Sequence, residues 1–477
     1  MVASKIDFSD VQGTLLRGYR VNFARHFILS ITNAKEAAQL IGMLVDGRDG
    51  LPKISTAEQQ YPKPPYFFNL SFTYTGLASI GLKPAQLASF GSAIGPSFKR
   101  GAAHCDVAKN VGDIGSSAPE HWIIGLDKQA SIHIVLSLWV TDSLSVLESV
   151  SAQLRAAFAG CMNELYVHDA TALPDNKVHF GYRDCIAQPT IEGAPQRKYP
   201  MPDQQPVVAT GELLLGYQNA LGGYYTKTAP PELALNSSFA AFRILEQDVA
   251  GFEALLTELS NKAKLDREKI AAKICGRWRN GNPLVLAPDE AGTVLHNSEL
   301  NDFTYVIPDS SSDDTLGLKC PIGSHIRRNN PRNEKVIGDD VESHRIVRRA
   351  MPYGPEYDPA QPDTRPRGLV GYFINASIEN QFEFITSQWN DQSSFVKSAE
   401  VKGAGNALYN ISGQDVFLGV NDPAESSFTL PIKTNQKPDN VTFTGFSRCI
   451  TTRLGIYCFF PSIKGLRYLA GLTGPIS

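Results

Sequence analysis

Ile132, Ile134, Leu136, Leu138 and Val140 alternate with their neighbours in one unbroken run. A period of two sends successive side chains to opposite faces, so this run reads as a strand with a face in a core. The residues just after it narrow the fold further. Asp142 or Ser143 offers an oxygen to cap a helix, and Leu147, Val150 and Leu154 then face inward at helical spacing. A strand running straight into an amphipathic helix buries its apolar face only in a layered fold, with helices packed on a sheet.

The same succession stands upstream and downstream. Residues 24–31 (ARHFILSI) read as a buried strand, and Asn33 lies three residues before Glu36, placed like a capping box. Ala37, Leu40, Ile41 and Leu44 then keep one helical face. FNLSFTY at 68–74 supplies a second strand and NELYVHDATAL at 163–173 a fourth, which gives the order strand, helix, strand, strand, helix, strand of a ferredoxin-like unit. The second half repeats the scheme less cleanly. AAFRIL (240–245) is strand-like, Phe252, Leu255, Leu256 and Leu259 mark a helix, and 368–377 and 455–462 read as later strands. Insertions rich in Pro, Asn, Asp and Gly at 194–237, 306–343 and 352–367 are long enough to wrap a ligand or to be disordered. The expectation is α+β, with two related halves at 1–220 and 221–477.

With 42% hydrophobic and 19% charged residues, the chain can bury a large core. A net charge of −3 argues against a nucleic-acid or acidic-membrane partner recruited by bulk charge. No window reaches the roughly 18 apolar residues of a membrane helix. The opening MVASKIDFSDVQG lacks a basic stretch followed by an apolar one, which predicts no secretion signal. Seven scattered cysteines without a CxxC point away from disulfides and zinc and towards a reducing cytosol.

Three segments carry candidate chemistry. CPIGSHIRRNNPR (320–332) sets His325 among Arg327, Arg328 and Arg332. A histidine there is ordinarily a surface or capping residue, yet its imidazole also suits a metal or haem iron, and the arginines suit carboxylates. In HRIVRRAMPYGPEY (344–357), Arg348 or Arg349 is an exposed strand charge or points inward. In FGYRDCIAQPTIEG (180–193), Asp184 caps a turn or serves a site. GAGNAL (403–408) lacks the third glycine of a dinucleotide fingerprint and reads as loop, and Asp313 with Asp314 reads as solvated loop.

Taken with DVQGTLLRGY (10–19), FTYTGLASIGL (72–82), GRWRNGNPLVLAP (276–288) and QFEFITSQW (381–389), these segments resemble the dye-decolorizing peroxidases, in that family's order and from about residue 8 to 472. The resemblance implies two ferredoxin-like halves forming a dimeric α+β barrel-like arrangement, with one haem b per chain in the C-terminal half. It makes His325 the proximal iron ligand and Asp415, in GQDVFLG, the acid bonded to it. It puts Asp184 and Arg348 on the distal face as the catalytic pair. It also makes Arg327, Arg332, Leu369 and Gly371 neighbours of the haem. The implied activity is reduction of hydrogen peroxide with oxidation of dyes, phenols or other aromatic reductants, in a cytoplasmic protein that forms a homo-oligomer or none.

Two positions depart from the family pattern. Cys185 replaces the glycine after the distal acid, a place where positive φ comes easily only to glycine. Gly371 stands where a distal phenylalanine is usual, which predicts a larger pocket able to admit an organic substrate. These departures leave two alternatives: a haem enzyme that oxygenates or tailors a specific substrate, and a haem carrier or sensor with vestigial turnover.

Overall fold

The computed structural model describes residues 5–92, 97–123, 125–194, 207–225, 231–333, 341–394, 412–434 and 437–471. GAGNAL (403–408) lies outside them, as do parts of the 194–237 and 306–343 insertions.

Four strands open the fold: β1 (Phe23–Ile31), β2 (Tyr66–Phe72), β3 (Ile134–Val140) and β4 (Met162–Thr171). They pair antiparallel in the spatial order β4-β1-β3-β2. Helix α1 (Ala34–Asp46) follows β1, and Asn33 caps it by accepting the Glu36 N–H. Helix α2 (Leu144–Phe158) follows β3, and Ser143 is its cap, accepting from the Val146 N–H. Both caps satisfy amides that a helix start leaves without partners.

The second set comprises β5 (Ser238–Gln247), β6 (Val347–Tyr353), β7 (Gly368–Asn375) and, beyond a separate ribbon of β8 (Ser427–Thr434) and β9 (Lys437–Thr444), β10 (Ile450–Phe460). Its order is β10-β5-β7-β6. Numbered within each set, both read 4-1-3-2, so the ferredoxin-like order occurs twice. Helices α3 (Val249–Ala263) and α4 (Arg267–Cys275) follow β5, capped by Asp248 and Asp266. After β7 comes an unusual stretch, Ile378–Glu383 continuing as Ile385–Asn390, wound as π-helix. The π form is rare and tends to mark functional sites.

One sheet of eight strands results. The sets join through a single ladder pair, Phe72 with Phe459, sealed by packed rings of Phe90, Phe98, Phe239 and Phe459. At the other end β4 meets β6 with the His168 ring set edge-on to Tyr353 at 4.4 Å, and no ladder joins the two strands among the described residues. The expected barrel-like shape is therefore present as a curled sheet rather than a closed barrel.

Curling also explains one departure from the sequence reading. The period of two predicts a single buried face for β3, yet all seven of its residues are buried. Helix α2 covers the face shared with β1, where Phe158 packs on Phe27. The opposite face turns into the curl, where Ser137 and Trp139 meet His26. All seven cysteines are unpaired, and no described helix is long and apolar enough to cross a membrane.

Candidate active site

His325 opens a short helix, α5 (His325–Asn329). Its Nδ1 lies 2.8 Å from Oδ2 of Asp415, a carboxylate with no exposed surface. Three more donors converge on that carboxylate: Asn329 Nδ2 at 3.2 Å and the N–H groups of Phe417 and Leu418 at 2.8 and 3.0 Å. Burial alone would raise the Asp415 pKa, but His325, the Arg328 guanidinium and the Leu418 N–H outweigh it and hold the group below the ordinary carboxylate value. A carboxylate accepting from Nδ1 keeps the proton there and leaves Nε2 as the nitrogen with a lone pair. Nε2 makes no hydrogen bond among the described residues. The Phe417 ring stands edge-on to the imidazole at 5.3 Å and limits its rotation.

Asn329 was missed in the sequence, although its signal was local. It sits one helical turn after His325, where side chains share a face.

A cavity open to solvent adjoins this pair. Phe417, Leu418 and Asn329 form one wall, Leu245 and Phe373 of the sheet another, and the π-helical stretch adds Phe382 and Ile385. His325, Asp184 and Arg348 are not among its lining residues, but Phe417 touches His325 and Phe373 is the ladder partner of Arg348. Arg243 also lines it, held by two 2.6 Å contacts to the buried Asp113.

The expected distal residues also come together. Arg348, on β6, reaches Asp184 at 4.0 Å, and both side chains are well exposed. The same guanidinium donates to the Ala187 carbonyl, and Gln188 Oε1 accepts from the Arg348 N–H and from the Arg349 guanidinium. Of the two arginines left open by the sequence, Arg348 is the one that meets Asp184. Arg349 turns to the Thr14 carbonyl.

Cys185 has φ of +62°, so the left-handed backbone that glycine would adopt freely is retained with a Cβ in place. The residue is exposed, yet crowding around its sulfur and the charge of Asp184 push the thiol pKa above its ordinary value.

Three expectations need correction. The Arg327 guanidinium is fully buried and donates to Asp314 and to the Cys320 carbonyl, above the Tyr305 ring. Arg332 donates to the Asn301 and Phe303 carbonyls and lies 3.6 Å from the Phe303 ring centre. Both tie loops together instead of presenting donors to a ligand carboxylate, and burial lowers the Arg332 pKa to about 9.

The third correction concerns Gly371, whose φ is +155°. A Cβ there would meet the Arg349 carbonyl oxygen at 2.0 Å and the Ala350 Cα at 2.5 Å. Glycine is required by the close approach of β6, and a phenylalanine at this position would strike backbone rather than fill a pocket. Arg243 stands directly across the ladder from Gly371, so the enlarged distal pocket loses its basis. Leu369 pairs with Leu245, a residue that does line the cavity.

No family model matches the chain. Among curated proteins it is 27% identical over 483 residues to peroxidase 2 of Mycetinis scorodonius, covering 97% of this chain and 87% of that protein. It is also 27% identical over 492 residues to a dye-decolorizing peroxidase of Exidia glandulosa, covering 98% and 87%. Among solved structures, a dye-decolorizing peroxidase in complex with 2,6-dimethoxyphenol superposes with a TM-score of 0.78 at 24% identity, over 98% of this chain and all of that one. The peroxidase of Auricularia auricula-judae does so with a TM-score of 0.78 at 22% identity, again over 98% of this chain. In sequence and in fold, over nearly its whole length, the chain is a relative of the dye-decolorizing peroxidases.

Proposed function

We propose that this protein is a haem peroxidase, reducing hydrogen peroxide and oxidising dyes, phenols or other aromatic reductants, with one haem b per chain. The observation that carries the reading is the His325–Asp415 pair: a histidine held by a buried carboxylate at Nδ1, with Nε2 unengaged among the described residues and its neighbours Asn329 and Phe417 lining a cavity. That is the donor chemistry a haem iron takes from a protein.

His325 Nε2 would hold the iron, and Asp415 would keep the imidazole oriented and electron-rich. The haem, when bound, supplies the iron at which peroxide is split and the reservoir from which two one-electron oxidations are made. The chain supplies the proton traffic. Asp184 would accept a proton from one peroxide oxygen and return it to the other, which would leave as water. Arg348, 4.0 Å away, keeps a positive charge beside the carboxylate and beside the oxygen that gains negative charge as the O–O bond breaks. Gln188 holds the Arg348 backbone and so fixes where that charge stands.

A carrier or sensor needs no acid and arginine in register, so the Asp184–Arg348 pair favours turnover. The seven unpaired cysteines support a reducing compartment. Stopped-flow mixing of haem-loaded protein with hydrogen peroxide tests the reading. Asp184→Asn or Arg348→Leu should slow the spectral change by roughly 10²- to 10⁴-fold, the range for loss of a positioned proton-transfer group. Unchanged rates in both variants would refute the distal assignment, and failure of the wild type to bind haem would refute His325.

A further inference from the structure

Glu379 and Glu383 stand four residues apart on the π-helical stretch, and both hold one residue of another element. The Ser97 N–H donates to Glu379 Oε1 at 2.9 Å, and the Ser97 hydroxyl donates to Glu383 Oε2 at 3.2 Å. Ser97 opens the short helix Ser97–Arg100. Glu383, itself 5% exposed, takes two further donors, the Tyr457 hydroxyl of β10 at 2.8 Å and Asn110 Nδ2 at 3.4 Å. Glu379 Oε2, by contrast, is buried and accepts no hydrogen bond among the described residues. The peroxidase mechanism uses neither acid.

The pair sits where two walls of the cavity meet. Phe382, Ile385 and Thr386 of the stretch line one side, and Val111, Gly112 and Asp113, which directly follow Asn110, line another. The Asn110–Glu383 bond joins those walls, and Ser97 ties the stretch to a third element.

No cation is placed to balance two charges here. Lys99 and Arg100 of the short helix are exposed, and Arg100 turns to Asp106. Cys105, Asp106 and Lys109, on the helix Cys105–Asn110, are exposed as well. Arg243 of β5 lies 5.6 Å from the Phe382 ring centre but is matched by Asp113, and Glu246 of the same strand pairs with Arg453 of β10. Glu342 and His344 come from the turn before β6, where the imidazole bonds the Asn380 carbonyl. β7 and residues 385–390 carry no charged side chain. Two ionised carboxylates in such a place repel, so one keeps its proton. Glu383, with three donors, suits the charge, and Glu379, with an unpaired oxygen, suits the proton. Burial first, and then the charge of Glu383, push the Glu379 pKa up to about 7.

We propose that Glu379 and Glu383 form a proton-dependent latch on the cavity wall. A proton on Glu379 holds the 378–390 stretch against Ser97 and Asn110, and its loss frees that wall and widens the cavity. A released Glu379 ionises near the ordinary 4.5 and the docked one near 7. Docking is therefore strongest below pH 4.5 and weakens as pH rises to 7. Opening should increase roughly 10- to 100-fold over that range, less than the full tenfold per pKa unit because Glu379 keeps some contact with solvent.

Hydrogen–deuterium exchange with mass spectrometry, on haem-free and haem-loaded protein at about pH 5 and about pH 7.5, tests the latch. Each rate is divided by the intrinsic rate of the same peptide at that pH. Peptides covering 97–110 and 378–390 should lose protection at the higher pH in wild type, while those of β1 and β3 lose none. Glu379→Gln, close in shape and unable to ionise, should keep at the higher pH the protection seen at the lower. Glu383→Gln removes the opposing charge and should shrink the loss. Equal protection at both pH values in wild type, or the same loss in Glu379→Gln as in wild type, would overturn the latch. Haem binding by His325 is read by a separate absorbance titration, so failure of the latch and failure of the peroxidase reading are told apart.

Discussion

Replacing Asp415 by asparagine separates the two tasks assigned to that carboxylate. In the native structure it accepts four hydrogen bonds, two on each oxygen. An amide has one oxygen and one NH2 group, so either its oxygen serves the Phe417 and Leu418 amides and its NH2 faces His325, or the reverse. The second arrangement sets the NH2 against two backbone N–H groups that cannot move, so the first prevails. The imidazole then responds by shifting its proton from Nδ1 to Nε2, which lets Nδ1 accept from the new amide. The haem-free protein therefore loses little beyond the Asn329 bond and the charge-assisted bond to His325, about 1–3 kcal/mol. Haem binding loses more in kind, because Nε2 now carries the proton where the iron lone pair should be. Loss of such an outer partner costs about 10–100-fold in affinity. The assay pairs an absorbance titration with haem against urea denaturation of the haem-free protein. A variant that binds haem within about twofold of wild type would refute the tautomer argument, as would a stability loss so large that the titration has no folded protein to report on.

Single positions elsewhere carry their own expected outcomes. Gly371→Ala should lower stability by roughly 1–3 kcal/mol or more, the cost of overpacking, because its Cβ meets the Arg349 carbonyl; an unchanged denaturation midpoint would contradict that placement. His26 is pushed down to about 3 by burial, so on acidification the unfolded chain takes up its proton first, near the ordinary 6.5. Stability from this group is complete above pH 6.5 and falls as pH drops towards 3, by about 2–3 kcal/mol between pH 7 and 4.5, and a denaturant series should show this slope flattened in His26→Gln. Cys185→Gly should hold or raise stability by up to roughly 1 kcal/mol, since the left-handed φ then costs nothing, and a clear loss would mean the thiol packs usefully. Alkylation followed by mass spectrometry should find Cys185 labelled in haem-free protein and protected by haem, with the other exposed thiol, Cys105, labelled in both.

Much of the fold was legible because its signals are local. Asn33, Ser143 and the period-two run before Ser143 act within a few residues, and the structure places caps and strands where they stand. The His325 and Asp184 segments were found through their surroundings in sequence, and each meets the partner assigned to it. What failed was what depends on chain neighbours far away. Arg327 and Arg332 looked free to bind a ligand because nothing near them in sequence discloses Asp314, Asn301 or the rings of Tyr305 and Phe303 folding over them. Gly371 looked like a missing side chain, since the approach of the Arg349 carbonyl is a property of the β6–β7 ladder and leaves no mark in the composition of β7.

The sheet joins its two four-stranded sets by one ladder pair, Phe72 with Phe459, and by the rings of His168 and Tyr353 at the far end. Within each set every neighbour is laced by a run of backbone bonds. Cooperativity follows lacing, so amide hydrogen exchange should divide the protein into two blocks with separate opening energies, and the outer amides of β4 and β6 should exchange earliest among the strands. A cofactor held on the second block would deepen protection there and leave the first nearly as it was.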